Sequence, residues 1–468
     1  NQATNPSDNE ICQLINGLET VSRTKDAGYT WNDTVVKAHT ETVNEDGSVT
    51  YTITLHDDLK FSDSSKITAK DYLAFPMAFY SPLSMAASGR QNDGTIFVGW
   101  EDYVAYTGPD GGKGSKVFAG LRLLDEYTFS LTLRKEYVPS FYDLSMIALQ
   151  PYYAEMWLGS AEIKDDGNGC YLTDDFYEKD ASGAYVMAEK IKFAATDTSG
   201  KSYAEYPCSG PYFLLSYDEK GQTVILNMNP FFKGNYEGTK PSIGKITYTL
   251  YEAENAMVAL DDGSLDFVGG ISGEESMADA RHTVGRNDNL ALLSYSRAGY
   301  QKLGFRCDYG PVQFTEVRQA LACLLDRPAM AEEFTGGYGK TVDGPYYEGA
   351  WMTKLALQQG MQLNSYAMSK DEAVRVLEEG GWIYDKDGKS YTSGVRYKRI
   401  PSDAIDDHDM DVASLDGEYT VTKVGDYYYM PLVINLFGTT PGDFTDYLIP
   451  RLEENEDLAA AGFVLSTA

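Results

Sequence analysis

No stretch of the chain approaches the roughly 18 consecutive apolar residues that a membrane-spanning helix needs, so no helical span is expected. Basic residues are also short: 39 Lys and Arg stand against 70 Asp and Glu, a formal net charge of -31 at pH 7. That balance excludes the clustered cations that a phosphate backbone requires, and it disfavours an anionic membrane surface. Histidine is limited to His39, His56, His282 and His408. None of them stands in a recognisable arrangement with a Ser or Cys nucleophile. Gly270-Ile271-Ser272-Gly273 falls one residue short of a nucleophile elbow. Walker and G-x-G-x-x-G loops are missing, so nucleotide cofactors are not expected. The 5 cysteines, at positions 12, 170, 208, 307 and 323, contain no C-x-x-C pair and no Cys/His metal spacing. Their odd number leaves at least one unpaired in a monomer, and a bridge between Cys170 and Cys208 stays open.

What is present describes an ordinary soluble globular chain. Hydrophobic residues make up 43% and charged residues 23% of 468 residues, which points to two or three domains rather than one core. The acidity reads as solubility in an exposed setting. Tyr is abundant, at 36 residues; its flat face and polar tip suit peptide or sugar contacts and equally suit β-rich cores. The opening NQATNPSDNEICQ has neither the basic start nor the apolar middle of a signal peptide. The expectation is either a cytosolic chain or one whose targeting segment has been removed.

Strand and helix signals alternate along the chain. Residues 48–55 alternate apolar and hydroxyl side chains after the turn Asn44-Glu45-Asp46-Gly47, predicting a strand. Thr68 is the expected N-cap of the next helix, with Asp71 at its third position. A strand pair follows within 117–133, and residues 160–205 read as surface hairpins and loops with tips at 165–169 and 180–183. Strands are expected over 210–217, 223–229 and 243–251, then a helix over 252–260. In the helix over 315–325, Val317, Leu321 and Leu324 share one face. Ser369 opens another as a capping box with Glu372; Ala373, Val376 and Leu377 form its stripe and Gly380-Gly381 its end. Residues 385–391 read as a hairpin turn, 403–411 as a solvated acidic loop and 430–437 as a strand. Arg318 and Asp326 are read as lying on one helix, eight residues apart and so not paired with each other.

Two short segments could be mistaken for metal loops. Asp406-Asp407-His408-Asp409-Met410-Asp411 lacks the spacing, the Gly and the distal Glu of a Ca²⁺ loop, and Asp385-Lys386-Asp387-Gly388 lacks a third acidic ligand and a closing Glu. Neither is read as a site, and no metal or cofactor is expected. Paired carboxylates are too numerous to single out a glycosidase pair.

Six segments decide the reading together. Ile15-Asn16-Gly17-Leu18-Glu19-Thr20 comes first, followed by 46–55 leading into Leu59-Lys60-Phe61-Ser62-Asp63 and Ile67-Thr68-Ala69-Lys70-Asp71. Cys208-Ser209-Gly210-Pro211-Tyr212 and Leu226-Asn227-Met228-Asn229-Pro230-Phe231-Phe232-Lys233-Gly234 come next. The helix from Val317 to Arg327 and the segment from Lys370 to Trp382 complete the set. In this order they resemble the peptide/nickel family of ABC-importer solute-binding proteins, family 5, typified by dipeptide- and oligopeptide-binding proteins. Ser64 replaces a Gly of the family pattern.

The resemblance implies an α/β, two-lobed periplasmic-binding-protein-like fold (type II, cluster C) with an extra domain inserted in lobe 1. Residues 1–40 and 195–270 would form lobe 1, 41–194 the inserted domain and 271–468 lobe 2. The family's C-terminal return segment, carrying the Asp that holds a peptide's α-amino group, is expected to be missing after Ala468, either through truncation or in a variant that closes lobe 1 differently. The implied function is capture of a peptide or other small solute by hinge closure and delivery to a membrane permease with its ATPase. The implied protein is a monomer without nucleic acid, on the extracellular face of the membrane, lipid-anchored through a Cys ahead of Asn1. Expected ligand contacts are Glu19 and Thr20, Ser209 and Tyr212, Tyr300 and Gln301 before a strand Leu303-Gly304-Phe305, and Tyr346, Tyr347 and Trp351 after Gly344-Pro345. The alternatives are a secreted carboxylate-dependent hydrolase and a transport-incompetent surface or signalling protein of the same fold.

Overall fold

The computed structural model describes residues 6–89, 92–108, 112–188, 206–218, 220–271, 273–295, 299–347, 349–401, 421–438 and 443–467. The chain divides into two compact units, Asn1–Tyr251 and Glu252–Ala468. The division falls ahead of the helix that begins at Ala253, where the sequence reading puts it at 270/271.

The first unit begins with α1 (Pro6–Ile15) and the hairpin β1 (Val21–Arg23) and β2 (Tyr29–Trp31). Next come β3 (Val36–Val43), β4 (Val49–Leu55) and α2 (Ala69–Phe79), then β5 (Val117–Phe118), β6 (Leu121–Leu123) and β7 (Thr128–Leu133). The unit continues with β8 (Ile163–Asp165) and β9 (Cys170–Leu172), and ends with β10 (Tyr212–Asp218), β11 (Thr223–Met228) and β12 (Lys245–Thr249). Its larger sheets run β3-β4-β7-β6, β5-β9-β8 and β10-β11-β12, all antiparallel.

The period-two pattern of β4 does what it predicts: Val49, Tyr51, Ile53 and Leu55 are buried and the three threonines between them lie on the other face. There the cross-strand pairs Thr50–Thr132 and Thr54–Thr128 bring hydroxyl oxygens to 3.0 and 3.3 Å, the kind of pairing that adds stability strand by strand. The buried face packs on α2 and on an aromatic core that includes Phe61, Tyr72, Phe97, Tyr103, Phe118 and Phe129. A second, smaller core gathers Ile15, Cys208, Tyr212, Leu214 and Leu226 where α1 lies on the β10–β11 sheet. The 165–169 tip is a hairpin turn between β8 and β9, exposed at 166–168 and anchored at its base. Asp165 takes two bonds from the Arg122 guanidinium, at 2.7 and 2.9 Å, and one from the Leu123 N–H. Ile163, Cys170 and Leu172 beside it are buried.

The second unit opens with α3 (Ala253–Asp261), α4 (Glu274–Arg286), α5 (Thr315–Cys323), α6 (Arg327–Thr335), α7 (Trp351–Gln358) and α8 (Lys370–Glu379). It continues with β13 (Tyr397–Pro401), β14 (Thr422–Val424), β15 (Tyr427–Pro431) and β16 (Val433–Leu436). It closes with α9 (Asp443–Glu453), α10 (Glu456–Ala460) and β17 (Val464–Thr467). Val317, Leu321 and Leu324 are buried as the helical spacing predicts, and α8 packs beside them through Ala373 and Leu377, with Trp382 fully enclosed. Val374 rather than Val376 completes the α8 stripe. Ser369 accepts from the Glu372 N–H at 3.2 Å. The buried Arg396 donates to the carbonyls of Ala461 and Trp382 and to Glu378, binding α8, β13 and the chain after α10 into one body.

Several expectations are corrected. The strand read over 430–437 is two strands: Pro431 has no N–H to continue a ladder, and the chain changes sheets at Leu432. There β15 pairs antiparallel with β13, while β16 pairs parallel with β17. Arg318 and Asp326 lie on different helices, since Asp326 caps α6 by accepting from the Ala329 N–H at 3.1 Å. Arg318 donates instead to the carbonyls of Val312 and Gln313. Residues 303–305 keep an alternating pattern, Leu303 and Phe305 leaning on the core, but form no ladder among the described residues. All five cysteines are free, so Cys170 and Cys208 are buried thiols. The acidic loop read over 403–411 lies outside the described residues. No helix among the described residues is long and apolar enough to cross a membrane.

The α2 cap has a measurable consequence. One Asp71 carboxylate oxygen accepts from the Thr68 N–H at 2.8 Å and from the Thr68 hydroxyl at 3.0 Å. Burial outweighs these bonds and pushes the Asp71 carboxyl up to about 6. A carboxyl raised above its unfolded value favours the fold below about pH 4 and loses that contribution as pH rises through about 6. The Asp71→Asn variant, which cannot ionise, is therefore expected to gain on the wild type between pH 4 and pH 7 by up to about 3 kcal/mol. Urea titrations of both at each pH check this; parallel curves would refute it.

Candidate ligand-binding site

In the first unit, four consecutive residues between α1 and β1 are fixed at every step. The Gly17 N–H donates to the Ser209 hydroxyl at 3.3 Å, and that hydroxyl donates to the Pro151 carbonyl at 3.1 Å. The Leu18 carbonyl takes the Tyr72 hydroxyl at 2.7 Å, and the Glu19 carbonyl takes the Asn32 amide at 2.9 Å. The Thr20 N–H donates to Leu149 at 2.9 Å, and its hydroxyl donates to Ile147 at 3.0 Å. These bonds hold Leu18 at φ 57, the left-handed region a branched side chain rarely occupies. Burial pushes the Tyr72 hydroxyl well above the usual tyrosine range, so it stays protonated as the donor this arrangement needs.

Two glycines let the segment reach Ser209. A methyl group on Gly17 would stand 3.1 Å from the Gly210 Cα and 3.2 Å from the Phe232 ring. One on Gly210 would meet the Leu14 carbonyl oxygen at 2.4 Å. The backbones cross here with no room for a side chain.

Of the expected contacts, Glu19, Thr20, Ser209 and Tyr212 are thus gathered at one place, with unequal freedom. Thr20 and Ser209 are buried and their hydroxyls are committed to main-chain carbonyls, so their role at this place is to hold the chain. Tyr212 is buried in the smaller core. Glu19 is half-buried; its carboxylate accepts from the Ser22 hydroxyl at 2.5 Å and keeps lone pairs for an amide or ammonium donor. Tyr72 and Asn32 were not singled out from sequence. The Asn32-Asp33-Thr34 turn, where the Asn32 side chain accepts from the Thr34 N–H and hydroxyl, is a signal that could have found one of them.

In the second unit, Tyr300 and Gln301 lie on an exposed segment outside the helices and strands. Tyr346 and Tyr347 lie half-buried on the connection between α6 and α7, and Trp351 is the first residue of α7. That connection is tethered at Asp343, whose carboxylate receives the Arg327 guanidinium at 3.0 Å. No group of three His, Cys, Asp or Glu among the described residues could hold a metal ion.

The fold is that of a two-lobed, mixed α/β solute-binding protein. Over residues 34–413 the chain matches the family described as bacterial extracellular solute-binding proteins, family 5 Middle, and it belongs to that family. The oligopeptide-binding protein OppA of Lactococcus lactis subsp. cremoris (strain SK11) is 24% identical over 351 residues, 72% of this chain and 50% of that protein. The chain thus spans about half the length of the curated OppA relatives. Among solved structures, lactococcal OppA complexed with an endogenous peptide in the closed conformation aligns with a TM-score of 0.59 at 16% identity, covering 100% of this chain and 72% of that one. NikA from Brucella suis in complex with Fe(III)-EDTA aligns with a TM-score of 0.55 at 16% identity, covering 97% and 69%.

The glycine crossing generates a prediction that does not depend on the ligand. Gly210→Ala forces the two backbones apart and is expected to destabilise the first unit by about 1–3 kcal/mol. Serine-to-alanine change at the exposed Ser390 serves as the neutral control. Equal urea midpoints for the two variants would remove the crossing from the account.

Proposed function

We propose that this chain is the capture component of an ABC importer, binding an oligopeptide or dipeptide between its lobes and delivering it to a permease and its ATPase. Residues 41–194 act as the domain inserted in lobe 1, and closure is a hinge motion of the two lobes around the ligand. The protein works as a monomer at the extracellular face of the membrane, held by a lipid anchor. No bond of the ligand is made or broken, so no cofactor is required.

The observation that carries this reading is the pinned segment at residues 17–20, in a chain of a family whose matched relatives include oligopeptide-binding proteins. A strained, rigidly held main chain beside a carboxylate with spare acceptors is a prepared edge, and preparation lowers the ordering cost of binding. Glu19 supplies an acceptor for a ligand amine or amide. Tyr300, Gln301, Tyr346, Tyr347 and Trp351 supply flat and polar contacts from the second unit.

Thermal unfolding against a library of peptides from two to nine residues tests the proposal, with Ni(II)-histidine, Fe(III)-EDTA and simple sugars in parallel. A peptide at 100 times its dissociation constant is expected to stabilise the protein by about 2.7 kcal/mol. The peptide should be recovered intact by mass spectrometry. Stabilisation by a chelate or a sugar alone would overturn the peptide assignment, and recovery of cleaved peptide would overturn the binding-protein assignment.

A further inference from the structure

We propose that Arg327 is a positioning residue for ligand binding, acting through the connection at residues 343–347 and not by touching the ligand. This rests on the reading of Tyr346 and Tyr347 as ligand contacts. Arg327 is the first residue of α6, immediately after the Asp326 cap, so its base is fixed by the helix. Its guanidinium donates to the Asp343 carboxylate at 3.0 Å and to the Tyr366 carbonyl at 3.4 Å. The Tyr366 hydroxyl in turn receives the Gln319 amide of α5 at 3.4 Å. Both Arg327 bonds leave one terminal nitrogen, Nη2, which therefore joins two helices and two loop segments at one point.

Beyond Asp343 the turn closes on its own tyrosine. The Asp343 N–H donates to the Tyr346 hydroxyl at 3.4 Å, and the Tyr346 N–H donates to the Gly344 carbonyl at 2.8 Å. A methyl on Gly344 would stand 3.0 Å from the Tyr346 ring and 3.6 Å from Leu363. Where Asp343 sits thus decides where the Tyr346 ring sits. None of residues 343–347 belongs to the buried core of this unit, so the core does not fix them independently. The Arg327 Nε–H is buried without a partner, so the contribution of the side chain lies in the two bonds that Nη2 makes to Asp343 and Tyr366.

Without these two bonds, the connection samples other arrangements, and apparent affinity falls to the fraction of molecules still competent. The test compares wild type with Arg327→Met, Arg327→Lys, Asp343→Asn and the Arg327→Met/Asp343→Asn double variant. Each is measured by calorimetry with a nonapeptide selected in the thermal-shift library, and by ¹⁹F NMR of 5-fluorotryptophan-labelled protein. If the competent fraction drops to about one tenth, Arg327→Met weakens binding about tenfold. The Trp351 resonance broadens or splits, while that of the enclosed Trp382 and the melting temperature stay near wild type. Arg327→Lys recovers part of the affinity. Asp343→Asn falls between wild type and Arg327→Met, because Arg327 keeps its bond to the Tyr366 carbonyl, and the double variant is no worse than Arg327→Met, where the Arg327–Asp343 pair is already lost.

Unchanged affinity in Arg327→Met overturns the inference. So does a loss of affinity that tracks melting temperature and moves the Trp382 signal, which marks a general structural role. A wild type that binds no peptide overturns the preceding functional reading instead. In that case the ¹⁹F comparison in free protein still decides this one, since an unchanged Trp351 signal in Arg327→Met overturns it.

Discussion

The crossing of Gly17 over Gly210 is the constraint on which the rest of the first unit depends. It brings the chain leaving α1 within hydrogen-bonding reach of Ser209, whose hydroxyl joins Gly17 to the Pro151 carbonyl. From that point Tyr72 of α2, Asn32 after β2 and the chain at 147–149 each claim one residue of the segment. Segments more than a hundred residues apart in sequence are thereby tied to one another through main-chain groups. The left-handed Leu18 is tolerated because its neighbours over-determine it; an isolated strained residue of this kind would relax.

Charge contributes less to this architecture than the composition invites one to think. Most ion pairs join exposed partners, such as Arg375 with Glu372 and Glu379 or Lys370 with Asp457, and pairs of this type are each worth about 0–1 kcal/mol. The few enclosed cations are different. Arg396 is spent mainly on carbonyls, and Lys398 meets Glu316 at 2.8 Å while lying over the Phe314 ring at 4.5 Å. These residues satisfy carbonyls at the ends of elements as well as meeting a carboxylate, so they fix geometry in addition to pairing charge. The acidic surplus keeps the surface soluble without specifying a partner.

Much of the fold was legible because it rests on local rules. The alternation in β4, the Thr68–Asp71 cap, the face shared by Val317, Leu321 and Leu324, and the Ser369 cap each need only a few neighbouring residues to be read. The failures differ in cause. The break at Leu432 depends on which partner each strand finds, β13 for one half and β17 for the other, and periodicity in one strand holds no information about partners. Asp326 looks like a continuation of α5 because Leu324 and Leu325 prolong its apolar face. A local signal was present and passed over, Asp326 as an N-cap with Pro328 in the first turn of α6, and Asn455 donating to the Leu324 carbonyl at 3.0 Å adds a tertiary one.

The candidate site was legible in part for a further reason: its positions could be named, but their roles could not. Sequence reading selects side chains, and it selected Thr20 and Ser209, whose hydroxyls turn inward to carbonyls. What the segment offers instead is a rigid main chain, held by Tyr72 and Asn32, and a single carboxylate at Glu19 with acceptors to spare. On the peptide reading this division is sensible. A binding surface that must accept many side chains gains affinity from the groups every peptide shares, which are its amides and its termini, and those are met by main chain and by one well-placed charge. On the same reading, specificity is left to the less constrained aromatic residues proposed as contacts in the second unit, and the Arg327–Asp343 tether would set how much of the ligand's binding energy goes into ordering the protein.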